Sequence, residues 1–185
     1  MPSISMVAQL PPGSGMDPGR MAALSSAWSR VAISFLGFVG PSLARAQPDD
    51  AELQVIPLLK QTLLNARVPT LLDGAEQGPH WARLVIEKLV STLSNGVNSG
   101  APLSIVQDAV SLVAKFFLQN VHALQRHAQF GQLWLMVLRL MLLFEKRGRD
   151  DRDAELEEIA AETLKNLLQV LLSMKVLGFV AKKGS

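Results

Sequence analysis

No cysteine and no tyrosine occur in this chain, and only 5% of its residues are aromatic. The missing cysteine excludes disulfides and thiolate metal sites, and leaves a reducing compartment permitted. The missing tyrosine, with leucine dominating the apolar set, argues against strands, which draw on Val, Ile, Tyr, Phe and Thr. Leu and Ala favour helix, so the composition points to an all-α protein. Charge is scarce too, at 18% against 49% hydrophobic residues, which excludes a chain disordered throughout. Eighteen Lys and Arg against sixteen Asp and Glu leave a net charge of +2, and they form no cluster. A phosphate backbone needs clustered cations, so nucleic acid is not an expected partner.

Acids are nearly absent from residues 1–48, where Asp17 stands alone against Arg20, Arg30 and Arg45. Pro11-Pro12-Gly13-Ser14-Gly15 and Asp17-Pro18-Gly19 are breaker signals, so this segment is expected to be disordered or targeting-like, with one short helix near 21–38 packing on the body. An uncharged run over 31–44 leads into Ala44-Arg45-Ala46, which mimics a cleavage pattern for secretion or organelle import through residues 1–46. Fourteen uncharged residues are too few to span a bilayer, which needs about 20. No transmembrane helix is therefore expected.

A helical domain is expected over 49–180 and a frayed tail over 181–185. Asp49-Asp50-Ala51-Glu52 has a capping-box pattern. Leu53, Ile56, Leu59, Leu63 and Leu64 follow at helical spacing until Val68-Pro69, and 72–79 reads as a loop. A second helix runs from His80 to about Ser94, stopped by Asn95-Gly96 and Asn98-Ser99-Gly100. Pro102 suits the first turn of a third helix, which carries Val106, Val110, Val113, Phe117, Val121 and Leu124 and reaches Arg126 or His127. The fourth, 133–144, is apolar nearly all round and ends in a charged turn, 145–153. Asp153, Glu155, Glu157 and Glu158 then suit the positive pole of a fifth helix, which presents Leu156, Ile159, Leu164, Leu167, Leu171 and Met174. Short turns between long helices predict stacked antiparallel pairs, as a HEAT-like α-solenoid fragment or an irregular bundle, although no sequence repeat at fixed period is visible.

No catalytic constellation emerges. His122 and His127 are five apart and do not share a helix face as two metal ligands would, so no metal is expected, and His80 stands alone. The carboxylates of 150–162 alternate with Arg or line an exposed face, unlike acids paired in an apolar cleft. No nucleophile elbow, phosphate loop or dinucleotide fingerprint occurs, so no cofactor is expected. Trp134, Leu135, Met136 and Met141 could form a Met-rich groove but read better as core.

Two motifs carry a resemblance. Phe130, Leu133, Trp134, Leu135, Val137 and Leu138 form an F-x-x-L-W-L-x-V-L helix. After a charged loop come Glu162, Leu164, Lys165, Asn166, Leu168 and Val170, in the pattern E-x-L-K-N-x-L-x-V. The pair resembles the C-terminal helical region of the large Golgi-type Arf guanine-nucleotide exchange factors, the GNOM-like group. The likeness covers about 103–177; Ala161 replaces the family's proline, and Leu171-Leu172 stand where V-M-x-T is usual. In that family a separate domain performs the exchange, and nothing here resembles it. The resemblance implies a noncatalytic regulatory or targeting module in Golgi traffic, cytoplasmic and peripheral to the membrane. Its partners would be proteins, among them other domains of an exchange factor, with peripheral membrane contact; Lys165 and Asn166 would be its first positions to test. The alternative is a small organellar or exported helical protein.

Overall fold

The computed structural model describes residues 16–45 and 55–175. Eight helices occupy them, with no strand among the described residues: α1 (Pro18–Arg45), α2 (Val55–Leu63), α3 (Val68–Gly74), α4 (Gly78–Asn98), α5 (Leu103–Gln119), α6 (Val121–Gln125), α7 (Phe130–Asp150) and α8 (Ala154–Ser173). The expected all-α fold of stacked antiparallel pairs is what the chain adopts. The proposed capping box at 49–52 and the tail at 181–185 lie outside the described residues.

The long helices form three pairs in two rows. In one row α1 packs on α4 and α4 on α7; in the other α2 packs on α5 and α5 on α8. Within the first row the helices run parallel. Gly37 of α1 faces Lys88, Gly40 faces Thr92 and Leu43 faces Gly96, so the contacts advance together along both helices. Likewise Arg83 at the start of α4 meets Gln129 before α7, and Arg147 near the end of α7 meets Val97 near the end of α4. α7 turns back antiparallel into α8, where Gly148 lies against Glu157. The short helices α3 and α6 connect one pair to the next, touching each other and α4.

A repeat is therefore present in the backbone though none shows in the sequence. Helices α4 and α7 are each 21 residues long and end alike. In each the next residue but one adopts positive φ, 87° at Gly100 and 55° at Arg152. Ala101 N then donates to Gly96 O (3.0 Å) and Asp153 N to Gly148 O (2.7 Å), the six-to-one bond of a Schellman cap. Glycine adopts that backbone freely and arginine does so at a cost, so the shared geometry rests on different residues.

Several sequence expectations fail, each for a local reason. Asp17-Pro18-Gly19 does not break the chain: Arg20 N donates to Asp17 Oδ2 (3.3 Å) and Pro18 begins a 28-residue helix that runs through Gly37, Gly40 and Pro41. Burial against α4 outweighs the weak propensity of those residues. Over Pro18–Leu43 this helix is long and apolar enough, with mean hydropathy 1.4, to cross a membrane by length and composition, although 33% of that window is buried in the stack. Counting only the uncharged run missed this, because the run stops at Arg30. Val68-Pro69 starts α3 instead of ending α2, with Pro in the first turn, where its missing N–H costs nothing. The loop expected at 72–79 is therefore largely helix α3 and the start of α4.

Asn95-Gly96 does not stop α4, since Gly96 is buried in it near Leu43. Pro102 caps α5 from outside it. The third helix breaks early: Asn120 Nδ2 donates to Phe116 O (2.8 Å), and the same carbonyl accepts from the Asn120 backbone (3.2 Å). The supposed charged turn at 145–153 is helical as far as Asp150. At the start of α8 the acids act as expected: Asp153 Oδ1 accepts from Leu156 N (2.9 Å), with Glu155 and Glu157 in the first turn.

Candidate functional site: the end faces of the helix stack

The six residues of the first motif divide by face. Phe130, Leu133, Trp134 and Val137 are buried, and Phe117 stacks between Phe130 and Trp134 at centroid distances of 6.1 and 5.8 Å. Leu138 is half-buried, while Leu135 is 50% exposed. The second motif lies along α8. Leu164 and Val170 are half-buried, Glu162, Lys165 and Asn166 are exposed, and Leu168 borders on exposed. Lys165 Nζ and Glu162 Oε1 are 3.9 Å apart on open surface, where such a pair contributes little. Both Lys165 and Asn166 stand in mid-helix, not in a cap or loop. Met141 is buried and Met136 half-buried, so the Trp134 cluster is core with Leu135 at its edge.

Sequence reasoning missed where apolar side chains remain uncovered. Among the described residues the large exposed ones are Phe38 on α1, Leu58 on α2, Leu135 and Leu142 on α7, Leu168 and Leu172 on α8, and Met174 just beyond. All belong to the first or last pair; none belongs to α4 or α5. Each middle helix has a neighbour on either side, whereas an end pair keeps one face open. No single-residue signal separates Leu142, 52% exposed, from Met141 beside it, 1% exposed. Only the order of helices in the stack does.

The C-terminal face is charged as well as apolar. Arg139, Lys146 and Arg149 are exposed on α7, and Glu155, Glu158 and Glu162 on α8. Arg149 bridges the two rows, reaching Glu145 Oε1 at 2.6 Å and Glu157 Oε1 at 3.7 Å. Arg147 does different work. It is mostly buried, donates from Nη1 to Val97 O (3.0 Å) and from Nη2 to Ala101 O (3.0 Å), and pairs with Asp151. It thereby satisfies carbonyls at the end of α4 and ties the last pair to the middle one.

Chemistry is sparse elsewhere. An open cleft of about 310 Å³ between α3 and the α5–α6 junction is lined by residues including Thr70, Asp73, Gln119, Asn120 and His122. Asp73 is already paired with Arg126 at 3.1 Å, and the cleft brings together no nucleophile and base. His127 lies in the turn before α7, where its Nδ1 accepts from Gln129 N (3.1 Å). Burial, then the nearby Arg83 and His80, hold its pKa below the usual imidazole value, partly offset by Glu87. His80 and His122 are exposed. Among the described residues, no three His, Asp or Glu side chains group to hold a metal ion.

A family model described as GBF1-like, tetratrico peptide repeat region, matches residues 53–183. The chain belongs to that family. The match takes in α2 to α8 and begins after α1, so the first helix of the α1–α4–α7 row comes from sequence ahead of the matched region. The family is a helical repeat region, in keeping with the stacked pairs. No curated protein and no solved structure matches the chain.

Proposed function

We propose that this chain is a noncatalytic docking module of the Arf guanine-nucleotide exchange factor class, acting in Golgi vesicular traffic. The observation that carries this reading is the confinement of its large exposed apolar side chains to the two ends of the stack. In a solenoid each pair covers the apolar face of its neighbour. Among the described residues the last pair presents Leu135, Leu142, Leu168 and Leu172, beside a basic row on α7 and an acidic row on α8. Such a face suits an amphipathic partner helix with charges of both signs on its flanks, from another protein or from another part of an exchange factor. Family membership supplies the exchange-factor context, and the nucleotide-exchange step belongs to another domain.

The alternative, an organellar or exported protein cleaved near Ala46, fits less well. Cleavage there would remove α1, and with it Trp28, Leu36, Val39 and Leu43 from the buried core.

The test is localisation of the tagged chain beside a Leu142→Asp/Leu172→Asp variant. Both residues are exposed, so the variant should melt within a few degrees of the parent. The parent is expected at the Golgi and the variant dispersed in the cytoplasm. A parent that enters another organelle, or a variant that localises as the parent does, would refute the reading.

A further inference from the structure

The opposite end of the stack has a different character. We propose that the outward face of α1 is a docking surface for an anionic lipid membrane, reached while α1 stays seated on α4. This does not rest on the α7–α8 docking face. Helix α1 contains no acidic residue. Its buried side is continuous, with Ser25, Trp28, Ser29, Ala32, Leu36, Val39 and Leu43 against the body. The side facing away carries Arg20, Ala27, Arg30, Ser34, Phe38 and Pro41, all exposed and recurring at helical spacing.

Phe38 is 79% exposed, the most open large apolar side chain among the described residues. The face continues onto the start of α4, where the Arg30 guanidinium lies 5.7 Å from the centre of the Trp81 ring. His80 packs edge-on against the same ring at 5.5 Å. Arginine, an aromatic anchor and small neutral residues along one helix are what an anionic interface attracts: the cations meet the headgroups and Phe38 enters at headgroup depth, with the half-buried Trp81 at the edge of the face.

A protein groove is the weaker occupant, because besides the arginines the exposed face of α1 holds only Ala, Ser, Gly and Pro around one large side chain. Full spanning is disfavoured by Arg30 within the hydrophobic window and by the core residues that would have to leave their seat. A second copy stacking end to end is disfavoured as well. The rows would set Arg20 and Arg30 of α1 against Arg139 and Lys146 of α7, like charge against like.

The experiment is flotation of the purified full chain with vesicles of phosphatidylcholine alone or mixed with phosphatidylserine. Binding is expected to the mixed vesicles only. It should fall about 25-fold in Arg20→Gln/Arg30→Gln, at roughly fivefold per basic residue, and severalfold in Phe38→Ala, with thermal melting within a few degrees of the parent. Leu142→Asp/Leu172→Asp should bind as the parent does, which separates this proposal from the docking face on α7–α8. Because the chain has no cysteine, a Gly40→Cys/Thr92→Cys disulfide can pin α1 to α4, where a β-carbon on Gly40 would lie 3.6 Å from Thr92 Cγ2. The oxidised and reduced forms of that variant should bind equally. Absent binding, equal binding to neutral vesicles, undiminished binding by the arginine variant, or loss of binding on oxidation would each overturn the proposal.

Discussion

The middle pair of the stack, α4 and α5, and the last pair, α7 and α8, are built from the same kinds of residue. In α5, Val106, Val110, Val113, Phe116 and Phe117 are all sealed, since α4, α2 and α8 surround that helix. In α8 only Leu156, Ala160, Leu167 and Leu171 are sealed, while Leu168 and Leu172, of the same chemistry and one residue further on, are open. Sequence hydrophobicity is therefore a poor guide to burial in a stacked fold. What decides is whether another pair follows. Where none does among the described residues, a leucine stripe becomes available surface.

The sharpest way to break that comparison is to truncate one apolar residue from each region. Phe117→Ala, which empties the ring stack with Phe130 and Trp134, should cost about 3–5 kcal/mol. Leu172→Ala, on an open face, should change stability by under about 0.5 kcal/mol. Urea unfolding measures both, and similar losses would show that the last pair is covered in solution.

A second test uses two glycines that precede the same cap. A β-carbon on Gly148 would lie 2.7 Å from Glu157 N and 3.1 Å from Asp153 O, backbone atoms that cannot move aside. Gly148→Ala should therefore cost about 1–3 kcal/mol. A β-carbon on Gly96 would meet Leu43 Cβ at an ordinary 3.5 Å, so Gly96→Ala should be neutral or stabilise by up to about 1 kcal/mol through helix propensity. Equal penalties in thermal melting would mean that α7 and α8 do not cross where Gly148 places them.

The smallest effect is a pH dependence where the middle pair meets the last. His127 has a folded pKa below its unfolded one, so the folded state resists its protonation. The associated stability is fully present above the unfolded value, about 6.5, and is lost as pH falls through the lower folded value. His127→Gln should flatten the stability profile between those two values. A profile that keeps its slope would assign it to other groups.

Helix-forming composition, the stripe on α5 and the acid-capped start of α8 were legible in the sequence because each is set by neighbours within a turn or two. The first motif was legible as a helix, yet only the packing divides it into sealed Trp134 and open Leu135. Helix α1 was hardest to read. Its glycines and proline are poor helix formers, and they are tolerated because the buried side of the helix is held against α4. Arg147, which looked like one charge in a solvated turn, was unreadable for the opposite reason: its partners, Val97 and Ala101, are 50 and 46 residues away.

Amide hydrogen exchange followed by mass spectrometry on the intact chain tests the stack most directly. The three-pair account predicts that α4 and α5 are the slowest to exchange, that α7 and α8 follow, and that α1 is protected well above a free peptide because it is seated on α4. Exchange of Pro18–Arg45 at the rate of an unstructured peptide, with α4 and α5 unaffected, would contradict it: the first pair would be missing from the stack, and α4 would carry the open face.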